Sequence, residues 1–181
     1  NPAQPEQSLR LDGEGLNLTR VLIDGQGRSF RHEHGQLVID DVPEAFELEL
    51  LTTCAPQDNS ELMGLYVSGD SFFTQCEAQG FRRITYFPDR PDVMATYTVT
   101  LRANKAQYPV LLSNGNLTEQ TDLPNGMHSA TWHDPHRKPC YLFALVAGQL
   151  VAREQRIRAR SGSEHLLQIY VRPGDLDKTD H

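Results

Sequence analysis

Residues Phe73–Arg102, FTQCEAQGFRRITYFPDRPDVMATYTVTLR, carry the strongest structural signals in the chain. The segment Met94–Arg102 alternates at period two and is rich in β-branched residues, which predicts a strand with one buried face. Two prolines exclude a helix through the corner Phe87–Pro91, whereas Ala78–Arg83 predicts a single helical turn. The stretch therefore predicts a polar segment, a short turn, a proline-rich corner and a strand.

The chain on both sides of this stretch consists of short apolar runs that alternate with polar residues. In Phe46–Leu51 the apolar residues alternate with two glutamates, which predicts one buried and one solvated strand face. Four Asp-Gly or Asn-Gly pairs follow such runs and predict hairpin turns, since both residues tolerate positive φ. These pairs begin at Asp12, Asp24, Asn114 and Asn125.

Further segments complete the predicted strand pattern. Met63–Phe73 predicts one irregular strand because two glycines interrupt it, and Cys140–Gly148 predicts a buried strand. Leu150–Arg160 and His165–Arg172 predict a last antiparallel pair. No apolar pattern of period 3.6 persists for more than a few residues. We therefore predict a single all-β domain over residues 1–181, either a β-sandwich or a curved, saddle-like multi-sheet domain of antiparallel hairpins.

Composition and charge exclude several classes of function. The formal net charge of −7 opposes binding to a phosphate backbone, so nucleic acid is not expected as a partner. No apolar run approaches the roughly 18 residues that a membrane span needs, and the first residues, NPAQPEQS, lack the pattern of a signal peptide. Cys54, Cys76 and Cys140 are odd in number and widely spaced, which favours a reducing, cytoplasmic location. Sequons at Asn17 and Asn116 leave a secreted location as the alternative.

The sequence carries none of the common self-contained catalytic signatures. It has no H-E-x-x-H, no G-x-S-x-G, no P-loop and no G-x-G-x-x-G. Histidines form two loose pairs, His32 with His34 and His133 with His136, but a metal site needs three or four converging ligands. We therefore predict neither a metal site nor a catalytic residue in this chain.

Gln75 and Glu77 form the most site-like pattern in the sequence, a carboxamide and a carboxylate two positions apart beside an aromatic-rich corner. The simpler interpretation is that Gln75 or Thr74 caps the following helical turn, while Glu77 favours its positive end. The charged residues that follow, from Arg82 to Asp92, likewise predict solvated ion pairs that hold a corner. Residue types alone leave both interpretations of Gln75 and Glu77 open.

Five motifs occur along the chain in the order GLYVSGD at Gly64–Asp70, TQCEAQGFR at Thr74–Arg82, FPDRPDVMATY at Phe87–Tyr97, LLSNGN at Leu111–Asn116 and KPCYLFALVAG at Lys138–Gly148. Together they resemble the N-terminal domain of the aminopeptidase N family of zinc metalloaminopeptidases, in its bacterial branch. The family's T-Q-x-E segment, a following arginine and a corner similar to F-P-x-x-D-E-P are matched. Arg90 stands where many relatives carry glutamate. The similarity runs over nearly the whole chain.

The resemblance implies a role for each residue of the site-like pattern. Glu77 is expected to bind the free α-ammonium of a peptide substrate, and Gln75 is expected to line the pocket for the first side chain. The parent enzyme is expected to remove N-terminal residues from peptides with a broad, alanine-preferring specificity. Its zinc cofactor and its catalytic domain, the intramolecular partner of this chain, are expected outside these residues.

The resemblance also implies that the chain begins inside the family's N-terminal domain and ends before the catalytic domain. The fragment alone is therefore expected to be inactive. Two alternatives compete with this interpretation. The same hairpin pattern suits a stand-alone β-sandwich module that binds carbohydrate or protein, and it suits a purely structural domain that makes no contact with substrate.

Overall fold

Antiparallel strands account for most of the regular structure in the computed structural model, which describes residues 8–179. The predictions for residues 1–7, including the lack of a signal-peptide pattern, lie outside the described part. In chain order the strands are β1 (Leu9–Asp12), β2 (Asn17–Ile23), β3 (Gln26–Gly27), β4 (Arg31–Glu33), β5 (Gln36–Ile39), β6 (Leu48–Thr53), β7 (Gly64–Ser68), β8 (Ser71–Gln75), β9 (Ala95–Asn104), β10 (Val110–Ser113), β11 (Asn116–Asp122), β12 (Met127–Lys138), β13 (Leu145–Gly148), β14 (Val151–Arg158) and β15 (Glu164–Val171). Short 3-10 helices occupy Pro56–Asp58, Phe81–Arg83, Cys140–Leu142 and Pro173–Thr179.

These strands form several small antiparallel sheets. Their orders are β1-β5-β4, β3-β2-β6, β10-β13-β8-β7, β11-β12-β9 and β14-β15. The all-β prediction is confirmed, in its multi-sheet form. Among the described residues, no helix combines the length and the apolar character that a membrane crossing requires.

Within residues 8–179, the apolar core is divided into three clusters, and one of them lies next to the site-like segment. We call it the Phe81 cluster; its buried members are Cys76, Phe81, Cys140 and Phe143. The Phe81 ring makes edge contacts with Phe87 and Phe143, each with ring centroids 5.1 Å apart. Such edge-to-face pairs add stability beyond the burial of area. The cluster thus fixes the chain directly after β8.

Local patterns predicted several elements correctly. The Met94–Arg102 strand is confirmed as β9, whose residues alternate between half-buried and exposed. Asn125-Gly126 connects β11 to β12, and its residues have φ of 60° and 71°. Asp24-Gly25 likewise connects β2 to β3 with positive φ at both residues. The predicted last pair is confirmed as β14 and β15.

Two predicted hairpin turns are wrong, because the strands beside them pair with distant partners. The strand before Asp12-Gly13 pairs with β5 instead of β2, since Leu37–Ile39 is fully buried and provides the better partner. The strand before Asn114-Gly115 pairs with β13, not with β11. Gly115 is needed there for another reason, since a Cβ atom would lie 2.2 Å from the carbonyl oxygen of His133.

Two other segments differ from their predictions. Met63–Phe73 is not one irregular strand, because β7 and β8 form a hairpin around Gly69 and Asp70. Cys140–Gly148 is not one buried strand, because Cys140–Leu142 forms a 3-10 turn and only Leu145–Gly148 joins a sheet. In both cases a turn interrupts a run of apolar residues that looks continuous in the sequence.

The hairpin of β14 and β15 carries apolar side chains on an open face. Residues that share one face of a strand are two positions apart, and Leu167 and Ile169 lie on the same face of β15. The register places Gln155 opposite Leu167 and Ile157 opposite His165, so Ile157 shares this face. The exposed fractions are 39% for Ile157, 47% for Leu167 and 52% for Ile169. We call these three residues the hairpin apolar face.

A core substitution tests this packing. Leu37 in β5 is fully buried, so Leu37→Ala removes buried methyl groups and leaves a cavity, which should lower the free energy of unfolding by about 2–5 kcal/mol. Leu51 in β6 is 44% exposed, and Leu51→Ala should change it by less than about 0.5 kcal/mol. Urea unfolding of the purified chain measures both. Equal losses for the two variants would contradict the assignment of Leu37 to the core.

Candidate functional site

Gln75 and Glu77 lie on an exposed turn that leaves the end of β8. We call residues 75–80 the Glu77 turn. Gln75 and Glu77 are both exposed, and the Gln75 Nε2 atom donates a hydrogen bond to the Glu77 carbonyl oxygen at 3.0 Å. The Gly80 N–H donates to the Cys76 carbonyl oxygen at 2.8 Å and closes the turn. The peptide bond between Glu77 and Ala78 is cis. The turn therefore presents the Glu77 carboxylate to solvent.

The interpretation of these residues as helix caps is wrong. The 3-10 helix that follows has Gly80 at its N-cap position and no side-chain cap. Gln75 donates its hydrogen bond within the turn and accepts none from the helix. Thr74 instead exchanges hydrogen bonds with the backbone of Leu145, at 2.9 Å and 3.3 Å. Gln75 and Thr74 thus have other hydrogen-bond partners, and no side chain of this segment, Glu77 included, caps the 3-10 helix.

A buried carboxylate, Asp89, lies beside the turn. Asp89 is only 3% exposed. Its Oδ1 atom accepts a hydrogen bond from the Cys140 thiol at 2.9 Å. Its Oδ2 atom accepts two from Arg82, from Nε at 2.9 Å and from the backbone N–H at 3.2 Å. Because both oxygens are occupied, the charge is buried with its partners in place, as a stable buried ion pair requires.

The backbone of Asp89 extends this network to the first strand. The Asp89 N–H donates to Asp12 Oδ2 at 3.1 Å, and the Asp89 carbonyl oxygen accepts from Arg82 Nη2 at 3.1 Å. Asp12 also exchanges backbone hydrogen bonds with Phe87, at 2.9 Å and 3.1 Å. The proline-rich corner is therefore tied to β1 and to the 3-10 turn at once.

The ion pairs predicted for this corner are solvated only in part. Arg90 and Asp92 form an exposed pair at 3.3 Å, as predicted. The pair of Arg82 with Asp89 contradicts the prediction, because the Asp89 side chain is 2% exposed. Sequence reasoning missed Asp89 as a buried group, since its partners lie 7 and 51 positions away and leave no local pattern.

A small cavity opens between the Glu77 turn and the corner. Its volume is about 290 Å³, and its lining consists of Glu77, Ala78, Gln79, Asp89, Pro91 and Tyr141. The apolar part of the cavity wall is formed by Ala78, Pro91 and Tyr141. Glu77 contributes a carboxylate to the wall, and this residue is exposed. Gln75, which was predicted to line a side-chain pocket, does not line this cavity. Tyr141 was not predicted as part of any site.

The two thiols beside Asp89 are held in their protonated form. Burial raises the pKa of Cys140 to about 12, and the hydrogen bond to Asp89 and the charge of Asp89 add to the rise. Burial also raises the pKa of Cys76 to about 12, again with a contribution from Asp89. At neutral pH the Cys140 thiol is therefore a hydrogen-bond donor and not a nucleophile.

The described residues do not fit a metal site. Within residues 8–179, no group of three or more histidine, cysteine, aspartate or glutamate side chains is arranged to hold a metal ion. His32 and His34, which were considered as a pair, do not share a strand, because β4 ends at Glu33 and His34 adopts a φ of 50° in the following turn.

Comparisons with known proteins match this chain along almost its whole length. The profile of the peptidase M1 N-terminal domain family matches residues 3–142. Aminopeptidase N of Escherichia coli is 50% identical over 171 residues, which is 94% of this chain and 20% of that protein. Aminopeptidase N of Caulobacter vibrioides is 46% identical over 176 residues, again 20% of that protein. The chain thus spans about one fifth of the length of these relatives.

Solved structures share the fold. Aminopeptidase A of Legionella pneumophila, in complex with aspartic acid, superposes with a TM-score of 0.90 at 39% identity. The alignment covers 96% of this chain and 21% of that one. A mutant M1 zinc metallopeptidase of Deinococcus radiodurans, bound to a Tyr-Ser-Ala substrate, superposes with a TM-score of 0.78 at 21% identity, over 95% of this chain and 41% of that one. At 21% identity, the match to the Deinococcus radiodurans protein supports only a shared fold.

The raised pKa values of the buried thiols predict how stability depends on pH. The native state keeps protons that the unfolded state releases above the ordinary thiol pKa of 9.0. The contribution is therefore constant below about pH 9, and between about pH 9 and 12 the free energy of unfolding should fall by up to about 1.4 kcal/mol per pH unit for each thiol. Urea unfolding at a series of pH values measures this slope.

Cys140→Ser is the matched variant for this experiment. It removes one of the titrating thiols, so the decline above about pH 9 should be shallower than in the unsubstituted chain. Burial also raises the pKa of the half-buried Cys54, so Cys54→Ser should make the decline shallower as well, and it compares a half-buried thiol with the buried Cys140. A slope that is identical in Cys140→Ser and in the unsubstituted chain would show that Cys140 does not titrate as described.

Proposed function

The chain belongs to the peptidase M1 N-terminal domain family, and on this premise we propose that it recognises the substrate N-terminus for a zinc-dependent aminopeptidase. The observation that carries the proposal is the exposed Glu77 carboxylate on a turn fixed to the core. The parent enzyme removes N-terminal residues from peptides, with a broad preference that includes alanine. The identity to two bacterial aminopeptidases N supports this activity.

The chemistry of Glu77 suits the recognition of a free amino terminus. A carboxylate binds an α-ammonium group through charge-assisted hydrogen bonds, and an acylated N-terminus offers neither the charge nor the donors. None of the ion pairs within residues 8–179 involves Glu77, so its charge is available to a ligand. Gln75 lies beside it and orients the Glu77 carbonyl oxygen through its hydrogen bond.

The remaining parts of the reaction belong to the rest of the parent enzyme in this proposal. The zinc is held by residues outside this chain in this proposal, as the family resemblance implies; within residues 8–179 no group of side chains is arranged to hold a metal ion. The catalytic groups accompany the zinc, and the chain contributes the positioning of the substrate. The isolated chain is accordingly inactive.

The hairpin apolar face supports a close association with the rest of the parent enzyme. Ile157, Leu167 and Ile169 expose adjacent apolar side chains on one face of β14 and β15. Contiguous apolar patches on a protein surface mark contact surfaces, whereas apolar side chains exposed singly do not. We assign this face to contact with the catalytic domain. The three free cysteines favour a reducing compartment, the cytoplasm. Peptide catabolism is the setting that the removal of N-terminal residues from peptides implies.

The role of Glu77 is tested in the full-length enzyme that contains this chain. Glu77→Ala should lower kcat/KM for an alanyl anilide by roughly 10- to 100-fold, which is the range expected when one hydrogen bond to a charged group is lost. Steady-state kinetics with the free-amino substrate measures the loss. Glu47 is an exposed glutamate away from the turn, and Glu47→Ala should leave kcat/KM unchanged.

Two outcomes would overturn the proposal. Unchanged kinetics in Glu77→Ala would remove Glu77 from substrate recognition. A reading frame that ended near His181, with no H-E-x-x-H segment after it, would favour the stand-alone binding module instead.

A further inference from the structure

Asp89 is connected to both ends of the Glu77 turn. At the start of the turn, Cys76 lies in the Phe81 cluster together with Cys140, whose thiol donates to Asp89 at 2.9 Å. After the turn, the backbone N–H and Nε of Arg82 both donate to Asp89. The same buried carboxylate therefore reaches the residues on either side of Glu77.

The two ends of the Glu77 turn are packed closely against each other. A Cβ atom on Gly80 would lie 2.2 Å from the Gln75 carbonyl oxygen and 2.9 Å from the Cys76 Cα atom. The Arg83 N–H also donates to the Gly80 carbonyl oxygen at 3.0 Å, which joins the end of the turn to the 3-10 helix. These contacts connect the last residue of the turn to Gln75, Cys76 and Arg83, and thus to the segments that Asp89 holds.

Asp89 also affects the charge of the cavity that it shares with Glu77. Both carboxylates line the cavity of about 290 Å³, but the two oxygens of Asp89 are occupied by Arg82 and Cys140. Glu77 is exposed and is the carboxylate that remains open to a cationic ligand. If Asp89 lost the Cys140 donor, its Oδ1 atom would be left without that partner beside the same cavity.

We propose that Asp89 is a positioning residue for substrate binding, which acts by holding the Glu77 turn through Cys140 and Arg82. This proposal rests on the proposed function of Glu77 as the anchor of the substrate ammonium group. Asp89 does not touch the substrate, and its contribution is realised through the placement of Glu77.

Substitution at Cys140 tests this without removing the buried charge. Asp89→Asn would leave the Arg82 guanidinium without its carboxylate and risks unfolding. Cys140→Ala removes only the thiol donor to Asp89 Oδ1, whereas Cys140→Ser provides a hydroxyl donor in its place. In the full-length enzyme, Cys140→Ala should lower kcat/KM for the alanyl anilide about 5- to 10-fold, mainly through KM. Cys140→Ser should retain most of the activity.

A double-mutant cycle with Glu77→Ala separates positioning from a general loss of stability. If Cys140 and Asp89 act through Glu77, Cys140→Ala should have no further effect on kcat/KM once Glu77 is alanine, because the two losses are not additive. Leu111→Ala, in a different core cluster, is the control for destabilisation, and its effect on kcat/KM should be the same in both backgrounds. Thermal unfolding of each variant provides the matched measure of stability.

Each result of the cycle is decisive. Non-additive losses, together with activity retained in Cys140→Ser, support the positioning role. Multiplicative losses, or an unchanged kcat/KM in Cys140→Ala, overturn it while leaving Glu77 as the anchor. An unchanged kcat/KM in Glu77→Ala alone overturns the proposed function, and with it the need for a positioning residue.

Discussion

The buried ion pair of Asp89 with Arg82 is the interaction on which the candidate site depends. A carboxylate that is 3% exposed is tolerated only when its charge and its lone pairs are satisfied, and here two side chains and a backbone N–H satisfy them. These partners come from the 3-10 turn and from the segment before β13. The requirement to satisfy one buried charge thus brings together parts of the chain that share no sheet.

The fold was predictable where the structural signal was local. β9 follows from alternation within ten residues, and the Asn125-Gly126 turn follows from two residues that tolerate positive φ. The strands before Asp12 and Asn114 were assigned to the wrong partners, because strand pairing depends on which distant segment offers the best buried face. At Gly115 positive φ and a close approach to His133 occur together without a hairpin between the flanking strands, so an Asn-Gly pair does not by itself specify strand pairing.

The candidate site was predictable to a similar extent. Gln75 and Glu77 were singled out as a carboxamide and a carboxylate two positions apart, the resemblance supplied their expected roles, and the structure locates both on one exposed turn. Asp89 and Tyr141 were not found as neighbours of this turn, since the cavity they line is formed by segments more than ten residues apart. The sequence shows which chemical groups a residue carries, but whether the residue is buried depends on the residues that surround it in the fold. An aspartate is expected on the surface because of its charge, yet Asp89 is buried in the structure.

The residues of the Glu77 turn differ in how well they should tolerate substitution. Glu77, Ala78 and Gln79 are exposed, whereas Cys76 before them and Gly80 after them are buried. A library that keeps Glu77 and randomises Ala78 and Gln79 would therefore vary the lining of the cavity with little loss of stability, whereas Cys76 and Gly80 would accept few alternatives. The same division makes the turn a natural place for related enzymes to diverge in specificity without redesigning the scaffold beneath it.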